Sequence, residues 1–373
     1  MDFCIRREYL LAGMQRTAGI VEKKTTMPIL NNVLITAQTG KVTISATDLE
    51  IAMMVGYEAD VRVEGTITLS ARKLHELVRE TQGEMVHFVK NEKDLVTITC
   101  DKAVYRIPGL GAGEYPNIAE EEGIRYFAVS SEDILELIRK TYFAISTDPL
   151  RKNLTGVLFE SQKKESGAEI RMVATDGHRM AMAWKTLGPD VEFLEMEKGV
   201  ILPRKGLGEI RKLLDDSNGE VRMGIHQGMC IFKTDNAMLK VRLIDSEYPD
   251  YRRVIPVEKG YFVRFERDRV LHALRRMSVI SSEGYSGVIV KMTADKMVLH
   301  STNPDVGEAS EEVEVSYQDP GVEVAYNVNF LIDAIEVIGE GDGMFEIGGA
   351  KKPGIVRPVD SERYLCIIMP LKF

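Results

Sequence analysis

Residues Phe127 to Ile145 read FAVSSEDILELIRKTYFAI, a phrase that the chain writes three times. Phe127 and Val129 begin it with a strand pattern. Ser130 and Ser131 then suit a helix cap, and Glu132 and Asp133 fall in the first turn, where negative charge complements the helix dipole. Near the N-terminus Phe3, Ile5, Glu8, Leu10, Leu11, Met14 and Arg16 occupy the places of Phe127, Val129, Glu132, Ile134, Leu135, Ile138 and Lys140. Val263, Phe265, Val270, Leu271, Leu274 and Arg276 repeat the pattern in the last third. A period of roughly 125 to 135 residues is the size of a domain, so a whole domain is triplicated rather than a short solenoid unit.

The echo continues past the first helix. A β-rich stretch follows in each third: Ile29 to Val55, Thr155 to Trp184 and Ser286 to Val315. A second helix is then predicted, opened by SARKLHELVRE (Ser70 to Glu80), PRKGLGEIRKLL (Pro203 to Leu214) and NVNFLIDAIEVI (Asn327 to Ile338). More strands close each third, the first two ending on Glu114-Tyr115-Pro116 and Glu247-Tyr248-Pro249. The expected architecture is α+β, with three like domains over residues 1–125, 126–256 and 257–373, each holding two helices.

At 373 residues the chain is too long for one small core and suits three domains. Hydrophobic residues make up 44% and charged residues 28%, with no apolar run long enough to span a bilayer and no signal-peptide pattern, so a cytoplasmic protein without membrane contact is expected. Cys4, Cys100, Cys230 and Cys366 are scattered in alternating patterns, which excludes a disulfide framework or zinc site and suggests buried apolar positions. No metal or cofactor is expected.

The net charge of −9 argues against a general nucleic-acid binder, yet its distribution points the other way. At about 100° per residue, Leu10, Leu11, Met14 and Val21 cluster opposite Arg16 and Lys23. Ile134, Leu135 and Ile138 are set against Lys140, and Val270, Leu271 and Leu274 against Arg269 and Arg276. In the second helices Leu74, Leu77 and Val78 oppose Arg72 and Arg79, and Leu207, Ile210 and Leu214 oppose Lys205 and Lys212. The last helix departs, with Asn329 and Glu336 at the matching places. Any one such stripe is an ordinary solvated face. Five agreeing in an acidic chain suit sequence-independent contact with the phosphates of duplex nucleic acid.

Chemical motifs are sparse. Gly348-Gly349-Ala350-Lys351-Lys352 is no phosphate loop, Gly109, Gly111 and Gly113 lack dinucleotide spacing, and Gly339 to Gly343 reads as a surface turn. Thr175-Asp176-Gly177-His178-Arg179 holds a candidate acid/base pair, but no GxSxG or reactive cysteine accompanies it, and Asp-Gly between apolar runs is first a turn. The chain ends on CIIMPLKF (Cys366 to Phe373), either a strand packed on its own domain or an apolar lip for a partner's side chains.

With TDGHRMAMA from Thr175, VILPRKG from Val200, YPDYRRVIP from Tyr248 and a terminal IIMPLKF, the whole chain resembles the bacterial DNA polymerase III β subunit family, the replicative sliding clamps. The resemblance implies a ring of two head-to-tail subunits around duplex DNA, with no catalytic site of its own. Its work would be to raise a polymerase's effective concentration at the template. Implied partners are a second copy of the chain, the polymerase III alpha subunit, the clamp loader through its delta subunit, and other clamp-binding polymerases and mismatch-repair proteins.

Carried over by the resemblance, the partner-peptide pocket is Leu154, Thr175, Gly177, His178, Arg179, Met180, Pro249, Arg253, Val254, Phe330, Ile367, Met369, Pro370 and Leu371. Apolar members would grip a short Gln- and Leu/Phe-containing peptide, and Arg179 and Arg253 would meet its polar end. DNA contacts resemble Lys24, Arg72, Arg151, Lys152, Asn153 and Lys205, and the subunit seam Leu77 and Tyr105 against Val279 and Ile280 of the other copy. Some members of the family carry aromatic residues where Lys152 and Asn153 stand, and Lys372 and Phe373 differ from the commoner ending. Two other readings compete: a hydrolase using Asp176 and His178, and an oligomeric peptide-binding scaffold without DNA.

Overall fold

Each third of the chain lays down its elements in the same order, the first with one extra strand, Asp60–Val63. The first runs β1 (Asp2–Arg6), α1 (Arg7–Ala18), β2 (Asn32–Gln38), β3 (Lys41–Thr47), β4 (Ile51–Glu58), β5 (Asp60–Val63), β6 (Gly65–Ser70), α2 (Ala71–Glu80), β7 (Met85–Lys90), β8 (Leu95–Cys100) and β9 (Ala103–Pro108). The second runs β10 (Tyr126–Ser130), α3 (Ser131–Thr141), β11 (Gly156–Lys164), β12 (Gly167–Thr175), β13 (Arg179–Leu187), β14 (Val200–Pro203), α4 (Arg204–Asp215), β15 (Glu220–His226), β16 (Met229–Lys233) and β17 (Ala237–Arg242). The third runs β18 (Tyr261–Glu266), α5 (Arg267–Ser278), β19 (Gly287–Thr293), β20 (Lys296–Asn303), β21 (Gly307–Glu314), β22 (Val322–Asn327), α6 (Val328–Glu336), β23 (Asp342–Ile347), β24 (Gly354–Pro358) and β25 (Tyr364–Ile368). The computed structural model describes all residues except 22–26, 119–121, 166, 189–195, 197, 216–218, 258–259, 283, 285 and 373.

The three sequence repeats fold into two compact units, because the second repeat divides its strands between them. One unit is built mainly from residues 1–132 and 205–243, the other mainly from residues 133–188 and 244–372. The first unit holds a five-stranded sheet, β5-β1-β7-β8-β9, and an eight-stranded sheet, β10-β15-β16-β17-β4-β3-β2-β6. The second unit holds another eight-stranded sheet, β14-β11-β12-β13-β25-β24-β23-β18, and a four-stranded one, β21-β20-β19-β22. Each eight-stranded sheet is two four-stranded halves from successive repeats, zipped along one antiparallel pair. In the first unit the zip is β17 on β4, from Ala237↔Val55 to Val241↔Ile51. In the second it is β13 on β25, from Arg179↔Ile368 to Ala183↔Tyr364.

Strands alternate buried and exposed residues, so one face of each sheet is apolar and the helices cover it. Leu10, Leu74 and Val78 are wholly buried, as are Ile5 and Phe88 beneath them, and each such side chain is worth about 2–3 kcal/mol of transfer free energy. Gly13 lets α1 lie close on the sheet, since a Cβ there would stand 2.5 Å from Ile44 Cδ1. Ser70 caps α2 through the Lys73 amide, and Asn327 caps α6 by accepting from the Asn329 amide at 3.0 Å. In the first and third repeats the opening arginine of the first helix binds the last carbonyls of the second. Arg7 Nη1 donates to the Val78 carbonyl at 3.1 Å, and Arg267 Nη2 to that of Glu336 at 2.7 Å.

The basic stripe needs one correction. Lys140 is only 7% exposed; it donates to Glu136 Oε1 at 2.6 Å and lies 5.7 Å from the Tyr364 ring centre. A half-turn periodicity argument treats each long side chain as pointing straight out, whereas this one folds back on its own helix. Arg139 is the exposed cation at that end of α3. The cysteines divide too: Cys100, Cys230 and Cys366 are buried, but Cys4 is partly exposed. Burial pushes the Cys366 thiol up to about 12.

Candidate functional site

The turn from β12 to β13 is built by its own side chains. Asp176 Oδ1 accepts the backbone N–H groups of His178 at 2.9 Å and Arg179 at 3.0 Å, and the Thr175 hydroxyl donates to the Arg179 carbonyl at 2.6 Å. Gly177 takes φ +88°, a left-handed conformation that glycine holds without cost. The first repeat makes the same turn with Thr47 and Asp48: Asp48 Oδ1 accepts from Glu50 at 2.9 Å and Ile51 at 2.6 Å. The carboxylate of Asp176 is thus committed to backbone and to Arg179, and His178 is exposed. No acid/base pair is assembled between their side chains in these interactions.

Arg179 is the residue whose role differs most from expectation. Its side chain is 10% exposed, with Nε donating to Asp176 Oδ2 at 3.1 Å, Nη1 to Asp333 Oδ2 at 2.5 Å and Nη2 to the Phe143 carbonyl at 2.6 Å. The guanidinium also stacks 4.3 Å from the Phe330 ring centre. Each of its three nitrogens donates inside the protein, which fixes the guanidinium against Phe330. Arg253 has a side chain 85% exposed, with its Nε donating to Asp250 Oδ2 at 3.0 Å.

Around this turn the expected pocket residues gather within the second unit. Met180 and Ile367 face each other across the β13–β25 zip and are buried, as is Leu154. Met180 and Ile367 belong to an apolar cluster with Leu158, Val173, Ile201 and Tyr251. The Met369 amide donates to the His178 carbonyl at 2.9 Å and the Leu371 amide to that of Ala325 at 2.8 Å, which lays the C-terminal segment along the same edge. Val254, Met369 and Leu371 keep two-fifths of their surface exposed. The result is an apolar floor with a partly open apolar lip.

Beside it lies a cavity of about 730 Å³ lined by Leu158, Glu160, Ile201, Tyr248, Tyr251 and Arg252, which shares Pro249 and Asn153 with the expected sites. Its floor holds a polar chain the sequence reading missed. Arg171 Nη1 donates to the Tyr251 hydroxyl at 2.9 Å, that hydroxyl donates to Glu160 Oε2 at 2.6 Å, and Arg252 Nη2 donates to Glu160 Oε1 at 3.1 Å. Burial, then the neighbouring Glu160, raises the Tyr251 hydroxyl above its ordinary value, so it stays a donor at neutral pH. The YPDYRR phrase carried part of this network, but Glu160 sits some 90 positions away, at a strand position with no local signal.

The expected DNA contacts are spread over both units. Arg72 and Lys205 are exposed in the first, and Arg151, Lys152 and Asn153 are exposed or half-buried in the second. Lys24 lies outside the described residues, as do Lys23 and Phe373. Arg151 Nη1 donates to the Asp176 carbonyl at 3.2 Å, and Asn153 Nδ2 to that of Glu247 at 3.2 Å, so this loop is braced against the pocket rim. The stripe on α5 is engaged too: Arg276 bonds Glu311, and Arg269 bonds Glu314 at 3.3 Å, both on the strand β21. Of the expected seam, Val279 is 78% and Tyr105 37% exposed, while Leu77 is buried at 9%.

A thrice-repeated α+β unit, whose sheets are completed between successive repeats and whose apolar cleft lies at one such joint, defines the class of DNA clamps. The sequence matches three family models in order: the DNA polymerase III beta subunit N-terminal domain over residues 1–119, the central domain over 128–250 and the C-terminal domain over 252–372. The chain belongs to the DNA polymerase III beta subunit family, the beta sliding clamps. It is 30% identical to the beta sliding clamp of Pseudomonas aeruginosa over 373 residues, all of both chains. Among solved structures, Caulobacter crescentus polymerase III beta superposes with a TM-score of 0.92 at 30% identity, covering both chains fully. A sliding clamp from Bartonella birtlesii, bound to griselimycin, gives 0.93 at 27%, again with full coverage of both. The protein is accordingly a DNA sliding clamp serving polymerase processivity, not a catalytic subunit. Among the described residues no helix is long and apolar enough to cross a membrane, and no three His, Cys, Asp or Glu groups are set to hold a metal ion.

Proposed function

We propose that two copies close head to tail into a ring around duplex DNA, joined through β9 of one copy and β21 of the next. The carrying observation is an unfinished pattern. Each eight-stranded sheet joins the last strand of one half, β17 or β25, to β4 or β13 of another repeat. The five-stranded and four-stranded sheets end on the equivalent strands, β9 and β21, and among the described residues neither has a strand partner on that side. An open strand edge is a template for pairing, and here the internal joints supply the register. Val241↔Ile51 and Ile368↔Arg179 end the two joints, so Ile107 should oppose Gly307, Tyr105 oppose Ala309 and Ala103 oppose Glu311. Charge agrees: β9 is flanked by Lys102 and carries Arg106, whereas β21 carries Glu308, Glu311, Glu312 and Glu314. Val279, exposed at the end of α5, and Tyr105 would add apolar contact at the seam, with Leu77 and Ile280 behind them.

On this reading the three domains span residues 1–125, 126–256 and 257–373, and Lys24, Arg72, Arg151, Lys152, Asn153 and Lys205 touch DNA phosphates. The cleft at Leu154, Met180, Val254, Ile367, Met369 and Leu371 takes a short peptide with apolar anchors, in the cytoplasm, from the polymerase III alpha subunit, the clamp loader delta subunit and other polymerases or mismatch-repair proteins. Phe330, held by Arg179, forms a wall, while Thr175, Gly177, His178, Pro249, Arg253 and Pro370 form the rim.

The test is retention on a nicked circular plasmid after loading by an active clamp loader, before and after the circle is cut. Survival on the circle with loss from the linear form is the expected result; equal retention on both would refute encirclement. The seam has its own check. The paired variant Val104→Cys and Ser310→Cys should give an oxidised dimer on a denaturing gel, since antiparallel partners at that spacing suit a disulfide, and neither single variant should.

A further inference from the structure

Two of the cations assigned above to DNA, Arg72 and Lys205, are already held by carboxylates. Arg72 Nε donates to Glu76 Oε1 at 2.8 Å, and Lys73 Nζ reaches the other oxygen of that group at 3.3 Å. Lys205 Nζ is bonded to Asp48 Oδ2. The two carboxylates differ in kind. Glu76 stands one turn along the same helix with its side chain 39% exposed and able to swing, whereas that of Asp48 is 5% exposed and pinned through its second oxygen by the amides of Glu50 and Ile51. An ordinary helix-stabilising pair explains Arg72 with Glu76. It does not explain Lys205 with Asp48, which are 157 positions apart and come from different repeats.

We propose that Glu76 and Asp48 are built-in counter-ions of the DNA-facing surface, which exchange with phosphate for the same cations and so keep the hold on the duplex loose and quickly renewed. The inference rests on the reading of Arg72 and Lys205 as phosphate contacts. A bare cation that meets a phosphate releases a condensed ion, and the logarithm of affinity then falls with that of salt by about 0.9 per phosphate. A cation already neutralised must first give up its carboxylate, which takes a cation from solution in return. Net ion release shrinks, and affinity and salt dependence shrink together. During a sliding step the same carboxylate receives the cation as one phosphate leaves and before the next arrives, so no charge stands bare between contacts.

The experiment measures anisotropy of a short labelled duplex against the full-length protein across a series of potassium chloride concentrations. Glu76→Gln keeps the size and an oxygen acceptor but removes the charge. It should bind about two- to fivefold more tightly at low salt, with a salt slope steeper by about one. Asp48→Asn should move both quantities the same way at Lys205, and adding Arg72→Ala to Glu76→Gln should abolish its gain. Parental affinity and slope in both amide variants would overturn the proposal; so would weaker binding with a fallen melting temperature, the signature of a merely structural role. The double variant Arg72→Ala with Lys152→Ala separates the two layers. If it leaves binding and slope at parental values, the DNA-contact reading fails; if it weakens binding while the amide variants do nothing, only the counter-ion idea fails.

Discussion

Arg179 illustrates how a site residue is visible in sequence while its job is not. TDGHR marks the turn, but the role depends on Asp333, 154 positions away in α6, and on a carbonyl of Phe143, neither of which carries a sequence signal. Removing one partner of a buried charged cluster strands the others, at a cost of about 3–5 kcal/mol. Arg179→Ala should therefore lose about that much in denaturant unfolding, and peptide binding with it, whereas a loss below about 1 kcal/mol would contradict a structural role for Arg179. Arg179→Lys should fare little better, because one ammonium cannot meet three acceptors in different directions. Glu136 gives a pH-dependent counterpart. Burial alone would raise its carboxyl, but hydrogen bonds from Lys140 and Lys185 outweigh that and hold it at about 2, against an ordinary 4.5. A carboxyl depressed in the folded state adds stability above its unfolded value and loses it as pH falls toward the folded one. Melting temperatures of the parent and Glu136→Gln should thus differ most at pH 6 and converge between about 4.5 and 2; parallel curves down to pH 2 would disprove the assignment.

At the scale of elements, the repeats and the helices were legible, because periodicity is a local property of neighbouring residues. Ser70 and Asn327 cap the helices that their phrases announced. What was not legible is that β17 zips onto β4 and β25 onto β13, since strand pairing across some 180 positions leaves no mark on either strand. For the same reason the sequence carries no sign that the second repeat divides its strands between two compact units. The open edges allow a direct test. Val104 is 54% exposed on β9, and in the inferred register it lies opposite Ser310, between Ala309 and Glu311. Val104→Glu puts like charge on that edge, so sedimentation should show at least tenfold weaker self-association while the unfolding free energy shifts by less than about 0.5 kcal/mol. Undiminished association would move the seam elsewhere.

For the whole molecule, a net charge of −9 coexists with DNA binding because the function does not ask for tight surface affinity. Cations paired with their own carboxylates, on a body that is acidic overall, suit a protein retained by enclosure rather than by grip. Raising salt should strip it from linear duplex long before it leaves a closed circle. The two open strand edges carry one more implication. β9 and β21 are different surfaces, so every copy has a distinct front and back, and association through them is directional. Such a contact stops growing only when the last back meets the first front. A substitution that altered the bend at either internal strand joint, while leaving both edges sound, would therefore not yield monomers. It would yield an unbounded fibre, and precipitation would then report a fault in curvature rather than in folding.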